Sequence, residues 1–458
     1  MKTRREFIQQ GCTALGMAAL GAGLAKFDLI TASAQTSQDY KALVCVFLFG
    51  GNDPNNMIVP LETSEYDQYA AVRDVASGIN LPASSLREIV PPSLNRPFGL
   101  HPNLADLLPV WNKGHLAVLC NTGTLVAPMT RAQYLSNSVA KPLNLFSHSD
   151  QQAQWQASLS STTSTTGWGG RLADRTLAFN GTSVYPMASS VTGSALFING
   201  ATAEPIVLPS TGSFKVNGFN NSGPSQARYT AMLDILGQDH DKALVNSASS
   251  VTSKAIQIST MIDPIISGSS ARIDRLFAKQ NANISKQFQR VAKIIESRAT
   301  LGVRRQIFFC SLGGFDTHNG LINTQASLFG QLGLGMATFY KALVKLGVES
   351  QVTTFTLSDF GRTLQAASGA GSDHAWGSHH MIMGGAVRGG DFYGQFPSLA
   401  LGGPDDAGSE GRWIPTTSVD QYAATLAQWY GASTADLPVI LPNINNFVSN
   451  NLGFMLLD

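Results

Sequence analysis

The sequence predicts an α/β fold in which a mostly parallel central sheet is flanked by helices and carries a central insertion. Apolar runs without polar alternation, ALVCVFLF from Ala42, QIFFCSL from Gln306 and VTTFTLS from Val352, have the pattern of strands buried on both faces. Helix-like segments separate such runs, and a strand, helix, strand order implies parallel pairing. Each of the three runs ends in an acidic loop, GGNDPNN, GGFDTHN and SDFGRT, and ligands in an open α/β sheet collect beyond the strands' carboxyl ends. The chemistry is expected there.

Lys41 to Gly50 reads as the first strand, closed by a Gly-Gly-Asn-Asp-Pro turn of residues that tolerate unusual backbone angles. Ser64 to Ala76 and Leu104 to Gly114 read as helical, and His115 to Gly123 as a second buried strand. A helix is expected through QQAQWQ, with Ser147 or Ser149 as its cap. Ser158 to Thr166 is almost wholly Ser and Thr, a loop. Gly167 to about Gly223 alternates short apolar pieces with turn residues, the mark of a β-rich insertion or a set of surface loops. Arg228 to Arg298 is the longest helical stretch. Beyond Gly302 the strand and helix rhythm returns, through QIFFCSL, a helix over Leu328 to Gly347, VTTFTLS, HMIMGGAVRGG and a last helix over Ser418 to Gly431. Residues 35–458 are therefore expected to form a single discontinuous α/β domain, with a loop-rich and helical insertion at about 158–300.

The bulk numbers exclude some function classes. With 458 residues and 43% hydrophobic content the chain can fill a sizeable core. Charged residues make up only 13% and the formal net charge is +1, against roughly 25% charged residues in average soluble proteins. No long-range field favours nucleic acid or an anionic membrane surface.

At the amino terminus, Thr3-Arg4-Arg5-Glu6-Phe7-Ile8 precedes a weakly apolar stretch, Cys12 to Ala25, and an Ala32-Ser33-Ala34 cleavage site. This reads as a twin-arginine signal peptide over residues 1–34. The apolar stretch is broken by Gly and Lys26 and falls short of the about 20 residues a membrane span needs. The expected partner is the twin-arginine export machinery, and the expected location is periplasmic or secreted, with the protein exported folded and no membrane span left after cleavage. Cys45, Cys120 and Cys310 remain, and an odd number in apolar runs points to buried thiols, with one bridged pair left open.

Candidate metal ligands follow the strand ends. Asp316 and His318 put a carboxylate and an imidazole two residues apart in an irregular loop, a pair suited to Zn, Mn or Fe rather than Ca. A turn in which Asp316 caps a backbone amide explains the same residues. Asp359 follows a strand, as ligand or as helix cap. Asp53 is the ligand offered by the first strand, or the anchor of its Gly-Asn-Asp-Pro turn. Four of the eight histidines, His318, His374, His379 and His380, fall within one short span. Ser147 at a helix start, with His148 beside it, is a candidate nucleophile or a plain N-cap. Arg362 is a candidate for binding an anionic substrate or a partner in an ion pair. The Gly-Gly loop lacks the endings of a P-loop and of a dinucleotide site.

The order FLFGGNDPNN, HPNL, SHSDQQAQW, GWGGRLAD, GGFDTHN, LSDFGRT and DHAWGSHHMIMGGAVRGGDFYG resembles the exported bacterial family known as domain of unknown function 1501. That family is similar, more distantly, to the alkaline phosphatase and sulfatase superfamily. The resemblance implies an alkaline-phosphatase-like fold with one or two divalent metal ions. It implies Asp53 as the first-strand ligand, Asp316, His318 and His374 at one metal site, Asp359 at the second, and Ser147 as nucleophile. Two departures stand out: Phe360 occupies the place where the superfamily usually has His, depleting one site, and no Cys-x-Pro-Ser-Arg segment exists to form a sulfatase's formylglycine. The expected activity is metal-dependent hydrolysis of phosphate or sulfate esters, on a small anionic ester, with catalytic roles for Ser147, His148 and Arg362. The alternative is a non-catalytic relative acting in binding or assembly in the periplasm or at the cell surface.

Overall fold

A nine-stranded sheet organises the protein. The computed structural model describes residues 40–74, 78–219, 222–238 and 242–456. The expected export signal, residues 1–34, lies outside the described residues. The strands are β1 (Lys41–Phe49), β2 (Ile58–Pro60), β3 (Arg87–Ile89), β4 (Phe98–Leu100), β5 (Leu116–Gly123), β6 (Ala188–Ser190) and β7 (Ile206–Val207). They continue as β8 (Arg305–Gly313), β9 (Val352–Ser358), β10 (Arg362–Ala367), β11 (Gly371–His374), β12 (Ser378–Met383), β13 (Phe392–Gly394) and β14 (Thr417–Ser418). The described helices of nine or more residues are α1 (Thr63–Asp74), α2 (His148–Ala157), α3 (Trp168–Thr176), α4 (Gly223–Leu236), α5 (Ala243–Ser267), α6 (Asn283–Glu296), α7 (Leu321–Leu346) and α8 (Val419–Tyr430).

The large sheet runs in the order β13, β5, β12, β9, β1, β8, β6, β7, with β14 also paired to β5. Its pairings are parallel, except that β12 runs antiparallel to both β5 and β9. The mostly parallel α/β architecture expected from the apolar runs is therefore present. β1 sits at its centre, in register from Lys41 opposite Arg305 to Phe49 opposite Gly313. Both faces are buried, which is why these strands do not alternate. One face sends Leu43, Cys45, Phe47, Ile307, Phe309 and Phe355 against Trp155, Trp168, Phe197 and Tyr422. On the other side Val44, Val46, Phe308 and Cys310 are equally buried, and α6 packs against β8 and α7. Each such side chain contributes roughly 1.5–3 kcal/mol by leaving water.

Helix ends follow local chemistry. α8 begins in a capping box between Ser418 and Gln421, which satisfies two otherwise orphaned amides. α7 stops at Gly347, whose φ of +68° suits a residue without Cβ. On α6, Phe288, Val291, Ile294 and Ile295 are buried along one stripe. The stretch expected to be helical from Arg228 to Arg298 resolves into α4, α5, the short helix Asp274–Phe277 and α6. In the Gly167 to Gly223 region, β6 and β7 extend the large sheet beside β8. Cys45, Cys120 and Cys310 are free and buried. No described helix is long and apolar enough to cross a membrane.

Candidate metal centre

The ends of β1, β8 and β9 lie side by side, and two glycines let them approach. A Cβ on Gly50, at φ +112°, would sit 2.4 Å from the Asp316 amide nitrogen, and one on Gly51, at φ +80°, would lie 2.5 Å from the Phe360 ring. Only glycine fits both the backbone angle and the space. The Gly50 amide donates to Asp359 Oδ1 at 3.1 Å, which ties the first acidic loop to the third.

Three imidazoles converge on Asp316, and each is oriented through its Nδ1. His148, the first residue of α2, meets Asp359 Oδ2 through Nδ1 at 2.7 Å. His374, the last residue of β11, meets the Phe146 carbonyl through Nδ1 at 2.8 Å. His318 meets Asp373 Oδ1 through Nδ1 at 3.0 Å. A carbonyl or carboxylate accepts only, so each Nδ1 donates, and in the neutral ring Nε2 keeps its lone pair. The three Nε2 atoms lie 3.4, 3.5 and 3.1 Å from Asp316 Oδ1 for His148, His374 and His318. His318 and His374 Nε2 are 3.0 Å apart.

The electrostatics favour ligation. Burial pushes the His374 imidazole below its ordinary value against the opposing hydrogen bond to the Phe146 carbonyl, with Arg362 and the neighbouring histidines acting in the same direction as burial. The hydrogen bond that His148 donates to the Asp359 carboxylate raises its imidazole, as a carboxylate behind a ligating ring raises that ligand's basicity. Burial alone would raise the Asp316 carboxyl, but the hydrogen bond and charge of Arg362, with His148 and His318, hold it below the usual range. His148 Nε2 is a buried nitrogen without a hydrogen-bond partner, and such an atom costs free energy unless something occupies its lone pair. Donor atoms of His148, Asp316 and His374 lie within 4.8 Å of one another. Ligands about 2.0–2.1 Å from a tetrahedral ion stand roughly 3.3 Å apart, close to the spacings above. The residues fit a single divalent ion of the kind that takes imidazole and carboxylate donors.

The other expected site residues lie as follows. Asp359 is fully buried, and its carboxylate accepts hydrogen bonds from the Gly50 amide at 3.1 Å and from His148 Nδ1 and Gln152 Nε2, both at 2.7 Å. It orients His148 and stands behind it. Asp53 is bound by the buried Arg73 guanidinium and accepts the Asn55 amide at 2.9 Å, so it anchors its own turn and is not among the converging groups. Arg362 is 0% exposed in its side chain; it donates to the carbonyls of Gly51, Ser372 and Gly50 at 3.0, 2.9 and 2.5 Å and to Asp316. Its donors hold the Asp316 carboxylate and the β1 turn.

Ser147 is the N-cap residue of α2 but makes no side-chain bond to its backbone; its hydroxyl donates to Asp150 Oδ2 at 2.6 Å. His379 and His380 are both buried within β12. His379 Nδ1 accepts the Asn121 amide at 3.0 Å, the His380 ring lies 4.7 Å from that of Trp155, and burial pushes both imidazoles down to about 3. They are core residues and do not join the cluster. The Phe360 ring centroid lies 4.8 Å from that of His148 and 4.6 Å from that of His374, tilted 39° and 35° to them. The Phe146 carbonyl was not singled out by the sequence; Phe146, at φ +75°, has a backbone conformation that a bulky residue rarely takes.

No curated protein matches the sequence. Among solved structures the chain is similar to Ps i-CgsB, with 11% identity, TM-score 0.34, and coverage of 89% of this chain and 77% of that one. It is similar to the lipoteichoic acid synthase LtaP from Listeria monocytogenes, with 8% identity, TM-score 0.33, and coverage of 89% and 76%. It is similar to the PsFucS1 sulfatase from Pseudoalteromonas sp., with 12% identity, TM-score 0.30, and coverage of 86% and 73%. These are distant likenesses of fold, and no activity follows from them. The family described as Protein of unknown function (DUF1501) matches residues 40–407, and the chain belongs to it.

Proposed function

We propose that this protein is a hydrolase of phosphate or sulfate esters that uses one divalent ion of the Zn, Mn or Fe class, held by His148, Asp316 and His374. The observation that carries the reading is the His148 dyad: Nδ1 is fixed on a buried carboxylate at 2.7 Å, while the buried Nε2 has no hydrogen-bond partner. A carboxylate behind an imidazole orients a metal ligand and raises its basicity. When bound, such an ion supplies Lewis acidity toward an ester oxygen and lowers the pKa of a water. The chain's own residues prepare that chemistry. Arg362 fixes the Asp316 carboxylate, Asp359 and the Phe146 carbonyl fix the two imidazoles, and the Phe360 ring walls one flank of both. Because the Ser147 hydroxyl is committed to Asp150, the reading gives the attacking role to water. Because Asp359 is spent on three donors, it calls for one ion rather than two.

The export reading belongs to the same proposal: a twin-arginine substrate released into the periplasm or beyond. A non-catalytic role in binding or assembly is favoured by one observation. On α4 and α5, Ile235, Leu244 and Val251 are 58%, 86% and 61% exposed, and exposed apolar side chains on adjacent helices suit a contact surface. The experiment that separates the two is a hydrolysis screen over phosphate monoesters, phosphate diesters and sulfate esters. It compares metal-loaded protein, chelator-stripped protein and His148→Ala. Turnover that needs the ion and His148 supports the hydrolase; no turnover by metal-replete protein on any class overturns it.

A further inference from the structure

We propose that the ester taken by this site carries a single negative charge, as a phosphate diester or a sulfate monoester does, and that doubly charged phosphate monoesters are disfavoured; the inference rests on the metal reading above. It follows from the fixed charge around the centre. His148, Asp316 and His374 can hold one ion, and three protein donors leave a position open to substrate. Asp316 cancels one of the two charges of a divalent ion there. Behind the donors, the buried Arg362 cation and the buried Asp359 anion offset each other. The imidazoles of His148 and His374 add no charge, because each Nδ1 proton goes to an acceptor and Nε2 is left for the ion. One positive charge faces the open position.

The cations that touch this centre are already matched. Arg362 spends its donors on the carbonyls of Gly50, Gly51 and Ser372 and on Asp316. Arg412 donates through Nε to the His374 carbonyl at 2.9 Å and pairs with Glu410, so it brings no net charge. The N-terminus of α2, which begins at His148, adds about half a positive charge. Asp373 opposes it: its carboxylate is 52% exposed and meets His318 Nδ1 at 3.0 Å, while His318 Nε2 lies 3.1 Å from Asp316. A negative charge therefore stands one imidazole ring away from the ligand set.

A phosphate monoester brings about 1.5 to 2 charges at neutral pH. Attraction to the centre grows in proportion to that charge, whereas the Born cost of leaving water grows with its square, so a second charge with no partner loses more than it gains. During transfer the charge spreads over three oxygens, and each needs a donor fixed in place. Here the ion meets one of them. The Ser147 hydroxyl is held by Asp150 at 2.6 Å and Gln152 Nε2 by Asp359 at 2.7 Å. An ester with one charge is matched by what the centre supplies.

The test gives the whole chain, loaded with Zn2+, three esters with one leaving group: p-nitrophenyl phosphate, bis(p-nitrophenyl) phosphate and p-nitrophenyl sulfate. Calorimetry in mildly alkaline buffer then compares two anions that have no ester bond to break, singly charged dimethylphosphinate and doubly charged methylphosphonate. At least one singly charged ester should exceed the monoester about tenfold or more in kcat/KM, and the faster of the two identifies the acyl centre, phosphorus or sulfur. Dimethylphosphinate should bind more tightly than methylphosphonate. Asp373→Asn, with folding checked by circular dichroism, should narrow that gap about two- to fivefold. If the monoester is turned over fastest, or methylphosphonate binds at least as tightly, the charge inference falls and the metal reading stands. If no ester is turned over but the phosphinate still binds more tightly, the hydrolase reading falls and the charge preference stands. If the chain takes up no Zn2+, the metal reading falls, and the charge inference with it.

Discussion

Asp359→Asn isolates what a buried carboxylate does for a metal ligand it only supports. Asp359 Oδ1 accepts the Gly50 amide at 3.1 Å, and Oδ2 accepts from His148 Nδ1 and Gln152 Nε2, both at 2.7 Å. An asparagine has one accepting oxygen in place of two. If its amide group turns toward His148, two donors face each other and the ring must move its proton to Nε2, withdrawing the lone pair from the centre. If the amide turns toward Gly50, a buried backbone N–H loses its acceptor at the end of β1. Loss of such a supporting partner lowers metal affinity about 10- to 100-fold, or about 1.4–2.7 kcal/mol. Isothermal titration with Zn2+, beside a thermal melt of the metal-free protein, measures both consequences. An affinity within twofold of wild type in a folded variant would refute the reasoning, because His148 would then not depend on Asp359 for its orientation.

Other perturbations follow from the same contacts. Arg73→Ala strands the buried Asp53 carboxylate and should cost about 3–5 kcal/mol in urea unfolding; a loss under about 1 kcal/mol would contradict a desolvated pair. Gly51→Ala must place a Cβ 2.5 Å from the Phe360 ring at φ +80°, so differential scanning calorimetry should show a lower Tm, and an unchanged Tm would contradict the close approach. Asp420 is fully buried and burial raises its carboxyl to about 6. A carboxyl raised in the folded state contributes stability that is fully present below its unfolded value near 3.8 and is lost as pH rises through about 6. Asp420→Asn should therefore gain on wild type between pH 4 and 7 by on the order of 3 kcal/mol, read from urea midpoints at both pH values; a constant difference would contradict the raised carboxyl.

Much of the frame could be read from the chain because burial on both faces leaves a local signature: β1, β8 and β9 are continuous apolar runs, and their acidic loops do lie at neighbouring strand ends. The direction of β12 was not legible, since an apolar strand of six residues, SHHMIM, carries no mark of polarity. The same strand absorbed His379 and His380, which crowding in the sequence had suggested for the site; alternation within a strand sends neighbours to opposite faces, and both here are core. His148 and Asp359 were visible as polar residues at element ends, but their pairing spans 211 positions, and no local pattern encodes which carboxylate meets which imidazole. Arg73 was hidden in a helix whose spacing reads as ordinary surface, so the partner that occupies Asp53 could not be named. The supporting Phe146 carbonyl left no side-chain signal at all, since any residue supplies a carbonyl.

Metal stoichiometry decides whether the His148, Asp316 and His374 donors hold an ion. Protein covering residues 35–458, recovered after native export, would be analysed by elemental mass spectrometry beside a folded His148→Ala, Asp316→Ala double variant. Close to one equivalent of Zn, Mn or Fe is expected in the wild type and none in the variant. Wild-type protein that stays metal-free after incubation with each ion, or a folded variant that retains a full equivalent, would contradict it.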